Sequence, residues 1–262
     1  MPRRVLADLK AAWQAGSADN IGIVAAGIAH YALLALVPAL GSLVLAYGLF
    51  ADAATVASHI TLISAQLPPS AAELITDQLE SVAQGSSGAQ GAGLLVALAI
   101  ALFGARNGAR SLMTGLNIAF GVVGPRGFLG GNLMALAITA AGIAGLVLTA
   151  AASAALANIA GMFGSIASFL LLLGAAALAA GLLYRFAPHA PAWAAIGPGA
   201  CFFAVTWLAA TAAFGFYAAN FGSYNATYGA LGAVVALITW FWATGFLLLL
   251  GGELTALRNR RS

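Results

Sequence analysis

The feature that most restricts this chain is a series of long stretches without a single Lys, Arg, Asp or Glu, at roughly 21–50, 91–105, 128–151, 162–184, 196–219 and 229–252. A helix needs about 20 apolar residues to cross the hydrocarbon core of a bilayer. The stretch at 91–105 is short, but Arg106 at its end can snorkel to the interface. Charge is scarce everywhere: 6% of residues are charged and 62% are hydrophobic, where soluble domains carry about 25% charged residues. A water-facing surface cannot be built from so little charge, so the bilayer must be the solvent for most of the chain. The runs are continuous and lack the period-two alternation of a membrane barrel. The expected fold class is therefore all-α, a polytopic membrane helix bundle with six transmembrane helices forming one integral membrane domain over 1–262.

Direction follows from the basic residues. Arg3, Arg4 and Lys10 precede the first run, Arg106, Arg110 and Arg126 follow the second, Arg185 follows the fourth, and Arg258, Arg260 and Arg261 follow the sixth. These alternate segments contain all ten basic residues, while the first opposite connection carries Asp52, Glu73, Asp77 and Glu80. Both termini are expected on the cytoplasmic side. The net charge of +3 reflects this topology and gives no reason to expect a nucleic-acid partner. The first apolar run is far longer than the core of a cleavable signal, so it is expected to stay as a span.

The segments between runs are readable too. Val5, Leu6, Leu9 and Trp13 share one face of a helix within 1–20, as expected of a cytoplasmic interfacial helix. In 51–90 the spacing predicts a periplasmic helical hairpin over 51–84. Val56, Ile60, Ile63 and Leu67 line its first arm, Pro68-Pro69 ends that arm, and Ser70 to Glu73 reads as a capping box opening the second. Residues 253–262 read as a basic cytoplasmic tail. Cys201, the one cysteine, is expected to pack as a small apolar residue.

No P-loop, dinucleotide fingerprint, nucleophile elbow or zinc-protease motif occurs, and His30, His59 and His189 are isolated. No catalytic residue, metal ligand or cofactor is expected, and the chain does not read as an enzyme. The informative residues are the polar ones left in apolar surroundings. His30 lies about 14 Å into the first span at 1.5 Å per residue. An ionisable group there is a functional candidate by default, although a neutral imidazole bonded to a neighbouring helix is the simpler reading. Pro38 is expected to bend the same span. Glu253, at the end of the sixth, opposes the helix dipole and calls for a partner. Arg106, Arg110 and Arg185 are the candidates, as an interhelical ion pair or alternatively as part of a substrate path. Arg106, Arg110 and Asn117 share a face at helical spacing. They suit either general contact with lipid phosphates or a site for one anionic headgroup. Tyr217, Asn220, Phe221, Tyr224, Asn225 and Tyr228 crowd the fifth connection, as an aromatic belt or as a polar outer vestibule.

Several of these segments together resemble the BrkB/YihY family of bacterial inner-membrane proteins over nearly the whole chain. His30 to Pro38 is similar to the family's Tyr-x-Leu-Leu-Ser-Leu-Phe-Pro stretch, with Ala35 and Val37 in place of Ser and Phe. Arg110, Leu116 to Phe120 and Arg126-Gly127-Phe128 look like its middle block. Pro198-Gly199-Ala200, Tyr217, Phe221 to Gly229 and Leu250-Gly251-Gly252-Glu253-Leu254 resemble its C-terminal signature, with Gly252 where Ala is usual. The resemblance implies a six-span inner-membrane protein with cytoplasmic ends, tied to serum resistance and virulence and to movement of lipid A precursors or other envelope lipids. An older family label, ribonuclease BN, finds no acid/base cluster here to support it.

The function expected is that of a transporter or flippase for an anionic, lipid-like envelope molecule. Arg106, Arg110, Asn117 and Arg185 would contact the substrate, and His30 or Glu253 would serve as coupling groups. The expected partners are membrane lipids and an anionic lipid or glycolipid substrate. The alternative is a non-transporting scaffold for envelope assembly working through the 51–84 hairpin. A membrane-embedded enzyme or ribonuclease ranks last. Substrate identity, energy coupling and oligomeric state are not readable from the sequence.

Overall fold

The computed structural model describes residues 2–50, 87–122, 126–157, 162–188, 193–220 and 225–260. Among them are seven helices and no strand: α1 (Pro2–Ala18), α2 (Ile21–Phe50), α3 (Ser87–Ala119), α4 (Phe128–Ala157), α5 (Met162–Phe186), α6 (Trp193–Asn220) and α7 (Asn225–Asn259). Five helices are long and apolar enough to cross a membrane, within α3, α4, α5, α6 and α7, and α1 with α2 forms a bent pair that brings the number to six. The fold is all-α, as expected. The hairpin expected over 51–84 lies outside the described residues.

Helix α3 runs unbroken past the end of the second apolar run, through Arg106 and Arg110, to Ala119. The apolar signal ends where charge begins, but arginine is a good helix former, so the helix does not end with it. The expected tail from 253 is in fact the last turns of α7, where Glu253, Leu254, Thr255 and Ala256 are buried. Cys201 is exposed on α6 instead of packed.

The helix axes of α1 and α2 meet at 71°. The chain turns there because Asn20 adopts a left-handed conformation, φ 52°, which asparagine tolerates better than most side chains. The Asp19 N–H donates to the Ala15 carbonyl at 2.9 Å, closing the last turn of α1, and the Ile23 N–H donates to the Asn20 carbonyl at 2.9 Å, opening α2.

The chain divides into two compact units, Met1–Ala29 with Arg106–Ala219 and Thr239–Ser262, and His30–Ala105 with Asn220–Ile238. In the second, Gly104 of α3 lies so near α2 that a Cβ there would sit 2.9 Å from the Ala35 Cα. Small residues of this type let membrane helices approach backbone to backbone.

The first unit is organised around the end of α7. Leu248, Leu249, Leu250, Glu253, Leu254, Thr255 and Ala256 are all buried, so this stretch is covered on every side. Toward α6, Gly251 meets Gly199, and a Cβ on Gly251 would come within 2.8 Å of the Gly199 carbonyl oxygen and press on the Tyr184 hydroxyl. That hydroxyl donates to the Leu248 carbonyl at 2.7 Å, joining α5 to α7. Further along the same antiparallel pair, the Trp207 indole donates to Thr244 at 3.1 Å and the Trp240 indole to Thr211 at 3.3 Å. Each indole reaches from one helix to a threonine hydroxyl on the other, which fixes the register. By contrast α4 and α5, which pack on each other, expose Leu146, Val147, Leu148 and Phe163, as helices facing lipid tails can.

Replacing Gly251 by Ala is expected to lower stability by about 1–3 kcal/mol, the usual cost of overpacking. Gly145→Ala, where nothing lies within 4 Å of the new Cβ, is expected to be neutral or to gain up to about 1 kcal/mol from helix propensity. Thermal unfolding of both variants in one detergent checks the contrast. In the same assay Tyr184→Phe should cost about 0.5–1.5 kcal/mol for the lost hydrogen bond.

Candidate functional site

Arg106 is half-buried on α3 and does not stand alone. One Nη donates to the Asn132 carbonyl oxygen of α4, and the other donates to that of Asn107 at 3.2 Å. Two neutral amides therefore orient the fork without cancelling its charge, and a guanidinium has five N–H donors in all. Arg110, one turn on, is exposed, and Asn117 is half-buried two turns beyond that. The three side chains thus follow one face of a single helix over about 16 Å. The carbonyl of Arg110 accepts from the Thr114 hydroxyl at 2.9 Å.

Arg126 precedes α4, and one of its Nη atoms donates to the Phe186 carbonyl at 2.7 Å. Phe186 ends α5, so the guanidinium satisfies a carbonyl that the helix itself leaves open. Arg185 is half-buried in the last turn of α5.

The expected ion pair of Glu253 is not formed with Arg106 or Arg110. Successive positions on a helix turn by about 100°, and the neighbours of Glu253 show where it points. Gly251 faces Gly199 and Phe203, Gly252 faces Leu116 and Phe120, and Glu253 faces the junction of α1 and α2. A Cβ at Gly16 would lie 3.7 Å from the Glu253 Cγ. Asp19, one turn beyond Gly16, places its carboxyl beside that of Glu253, and Arg260 is the cation whose field reaches it. Glu253 is 1% exposed, and its Oε1 is buried without a hydrogen-bond partner. Its buried neighbour Thr255 is satisfied within the helix, donating to the Gly251 carbonyl at 2.9 Å.

Around this point α1 lies against the end of α7. Arg258 pairs with Asp8 at 3.4 Å, the Trp13 and Phe246 rings meet edge to face at 5.7 Å, and the Trp242 indole donates to the Gly22 carbonyl at 2.9 Å. Asp8, Asp19, Asn132 and Tyr184 were all missed in the sequence. A signal existed only for Asn132, as a polar residue inside an apolar run.

His30 belongs to the second unit, where it is exposed and meets the Tyr31 ring edge to face at 5.6 Å. Helix α2 runs through position 38, but the Pro38 ring is outside the described side chains. Tyr217 is exposed near the end of α6. Asn220 ends α6, and Asn225 and Tyr228 lie in the first turn of α7; their side chains and the whole of Phe221 and Tyr224 fall outside what is described.

Comparison with known proteins adds the family. The ribonuclease-like protein YfkH of Bacillus subtilis (strain 168) is 28% identical over 217 residues, covering 76% of this chain and 77% of that protein. No solved structure matches. The family described as Virulence factor BrkB matches residues 12–262. With a match over nearly all its length, and with several helices fit to cross a membrane, the chain belongs to the BrkB family of membrane proteins.

Proposed function

We propose that this protein is a transporter or flippase for an anionic, lipid-like envelope molecule in a bacterial inner membrane, with both termini cytoplasmic. The observation that carries the reading is Arg106, a guanidinium on a helix long and apolar enough to cross a membrane, oriented by Asn107 and Asn132. A charge in such a helix is costly and marks a ligand path by default. Its neutral partners leave the positive charge available, and a guanidinium matches phosphate or carboxylate through two parallel hydrogen bonds. Exposed Arg110 supplies a second charge on the same face, with Asn117 beyond it. Arg185 would meet the same headgroup, His30 and Glu253 would be coupling groups, and Tyr217 with Asn220, Tyr224, Asn225 and Tyr228 would form the outer vestibule. The reading contains no catalytic step, cofactor or nucleic acid. The ribonuclease-like name belongs to the Bacillus protein and is not carried over.

The test is translocation of a labelled anionic phospholipid in proteoliposomes. Charge-assisted hydrogen bonds contribute about 1.5–3 kcal/mol, so Arg106→Gln should slow translocation by roughly 10–100-fold. Arg106→Lys should recover only part of the rate, since a lysine offers a point charge without the planar fork. Unchanged rates in both Arg106→Gln and Arg110→Gln would remove the arginines from the path. A stoichiometric protein partner, with no selective anionic lipid in the purified material by mass spectrometry, would favour a scaffold instead.

A further inference from the structure

We propose that Glu253 and Asp19 form a proton-binding site in which one proton is shared between the two carboxyls, at the junction of α1 and α2 against the end of α7. This deepens the transport reading by naming a coupling ion, and its partner Asp19 is a residue that reading did not include.

The argument is one of charge and burial. Glu253 is 1% exposed, and its Oε1 has neither water access nor a hydrogen-bond donor. A carboxylate in that position would be an uncompensated buried charge, which proteins avoid by pairing it or by neutralising it. Pairing is not what the surroundings offer. The facing groups, among the described residues, are the Asp19 carboxyl from the α1–α2 junction and Arg260 beyond the end of α7. Arg260 is exposed and reaches toward Gly121, where a Cβ would meet its Nη2 at 3.3 Å. From α5 comes Tyr184, whose hydroxyl is committed to the Leu248 carbonyl. The α3 and α6 surfaces on this part of α7 supply Leu116, Phe120, Gly199 and Phe203, with no charge. On α1 the remaining acid, Asp8, pairs with Arg258.

Two carboxyls side by side cannot both be ionised at low cost. One proton resolves the conflict. The protonated acid donates its O–H to the other carboxylate, which leaves one negative charge for Arg260 to balance. Glu253 lies on the fully buried end of α7, while half-buried Asp19 sits at the junction. Release of the proton would place two negative charges between α1 and α7 and push the junction away from α7. The contacts that hold α1 there, Asp8 with Arg258 and Trp13 with Phe246, would then be loaded by that repulsion.

The experiment is a pH titration of the whole protein in lipid, followed by infrared spectroscopy of the protonated-carboxyl C=O stretch. With only seven acidic residues in the chain the spectrum is sparse enough to assign. One band that disappears as pH rises is expected. Glu253→Gln should abolish it, and Asp19→Asn should move its midpoint by about one pH unit or more, because the two sites are coupled. If Glu253→Gln does not fold, the shift in Asp19→Asn still decides the matter. The absence of a titrating band, or a band untouched by both substitutions, would overturn the proposal. So would a band displaced by added sodium at constant pH, which would mean a metal cation in place of the proton. The measurement uses no transported substrate, so a failed translocation assay would leave its result standing, and the reverse also holds.

Discussion

Most of the described structure depends on the close approach of α6 and α7 at Gly199 and Gly251. Removing two side chains brings backbone against backbone, and only then can the Tyr184 hydroxyl reach the Leu248 carbonyl. In a bilayer no hydrophobic effect drives one apolar helix onto another, so contact density and a few interhelical hydrogen bonds must do it. The paired Trp207–Thr244 and Trp240–Thr211 bonds extend the same interface and keep the helices from sliding. With α7 held in this way, α1, α2 and α3 complete its enclosure. Apolar faces remain exposed on α4 and α5 above all, and also on α3, where lipid can cover them.

An enclosed helix end makes every polar group within it consequential. Thr255 and Tyr184 are satisfied by backbone carbonyls. Glu253 is not, and the group beside it is another acid. A core that satisfies its hydroxyls and leaves a carboxyl oxygen open differs from one in which all polar groups merely lock packing. Arg106 shows the opposite arrangement, a charged group whose partners are neutral and whose charge therefore stays available.

How much of this was legible before folding can be judged residue by residue. The apolar run from Ile21 to Phe50 coincides with α2, and the runs beginning near 128, 162 and 196 fall within α4, α5 and α6. Length and absence of charge are local properties, and a helix in lipid satisfies its own backbone, so these elements can be read directly. Charge does not bound these helices. Arg106 and Arg110 sit inside α3, and Glu253 sits inside α7 with its neighbours buried. Hydropathy reports the cost of placing a residue in lipid, not the point at which a helix stops.

The sequence by itself determined the class of structure: long apolar helices, their approximate limits, a short amphipathic helix before the first of them, and membership of a membrane-protein family. Only the tertiary structure decided the partners. Glu253 was expected to pair with Arg106, Arg110 or Arg185, and it has Asp19 beside it with Arg260 as the cation in reach, because its place on the turn after Gly251 and Gly252 points it at α1. Arg106 was expected to meet Glu253, lipid phosphates or an anionic headgroup, and it is oriented by Asn132, 26 residues further along the chain. Helix formation depends on neighbours in sequence, whereas the pairing of polar groups depends on which helix faces which, and that is set by the sum of many small packing contacts.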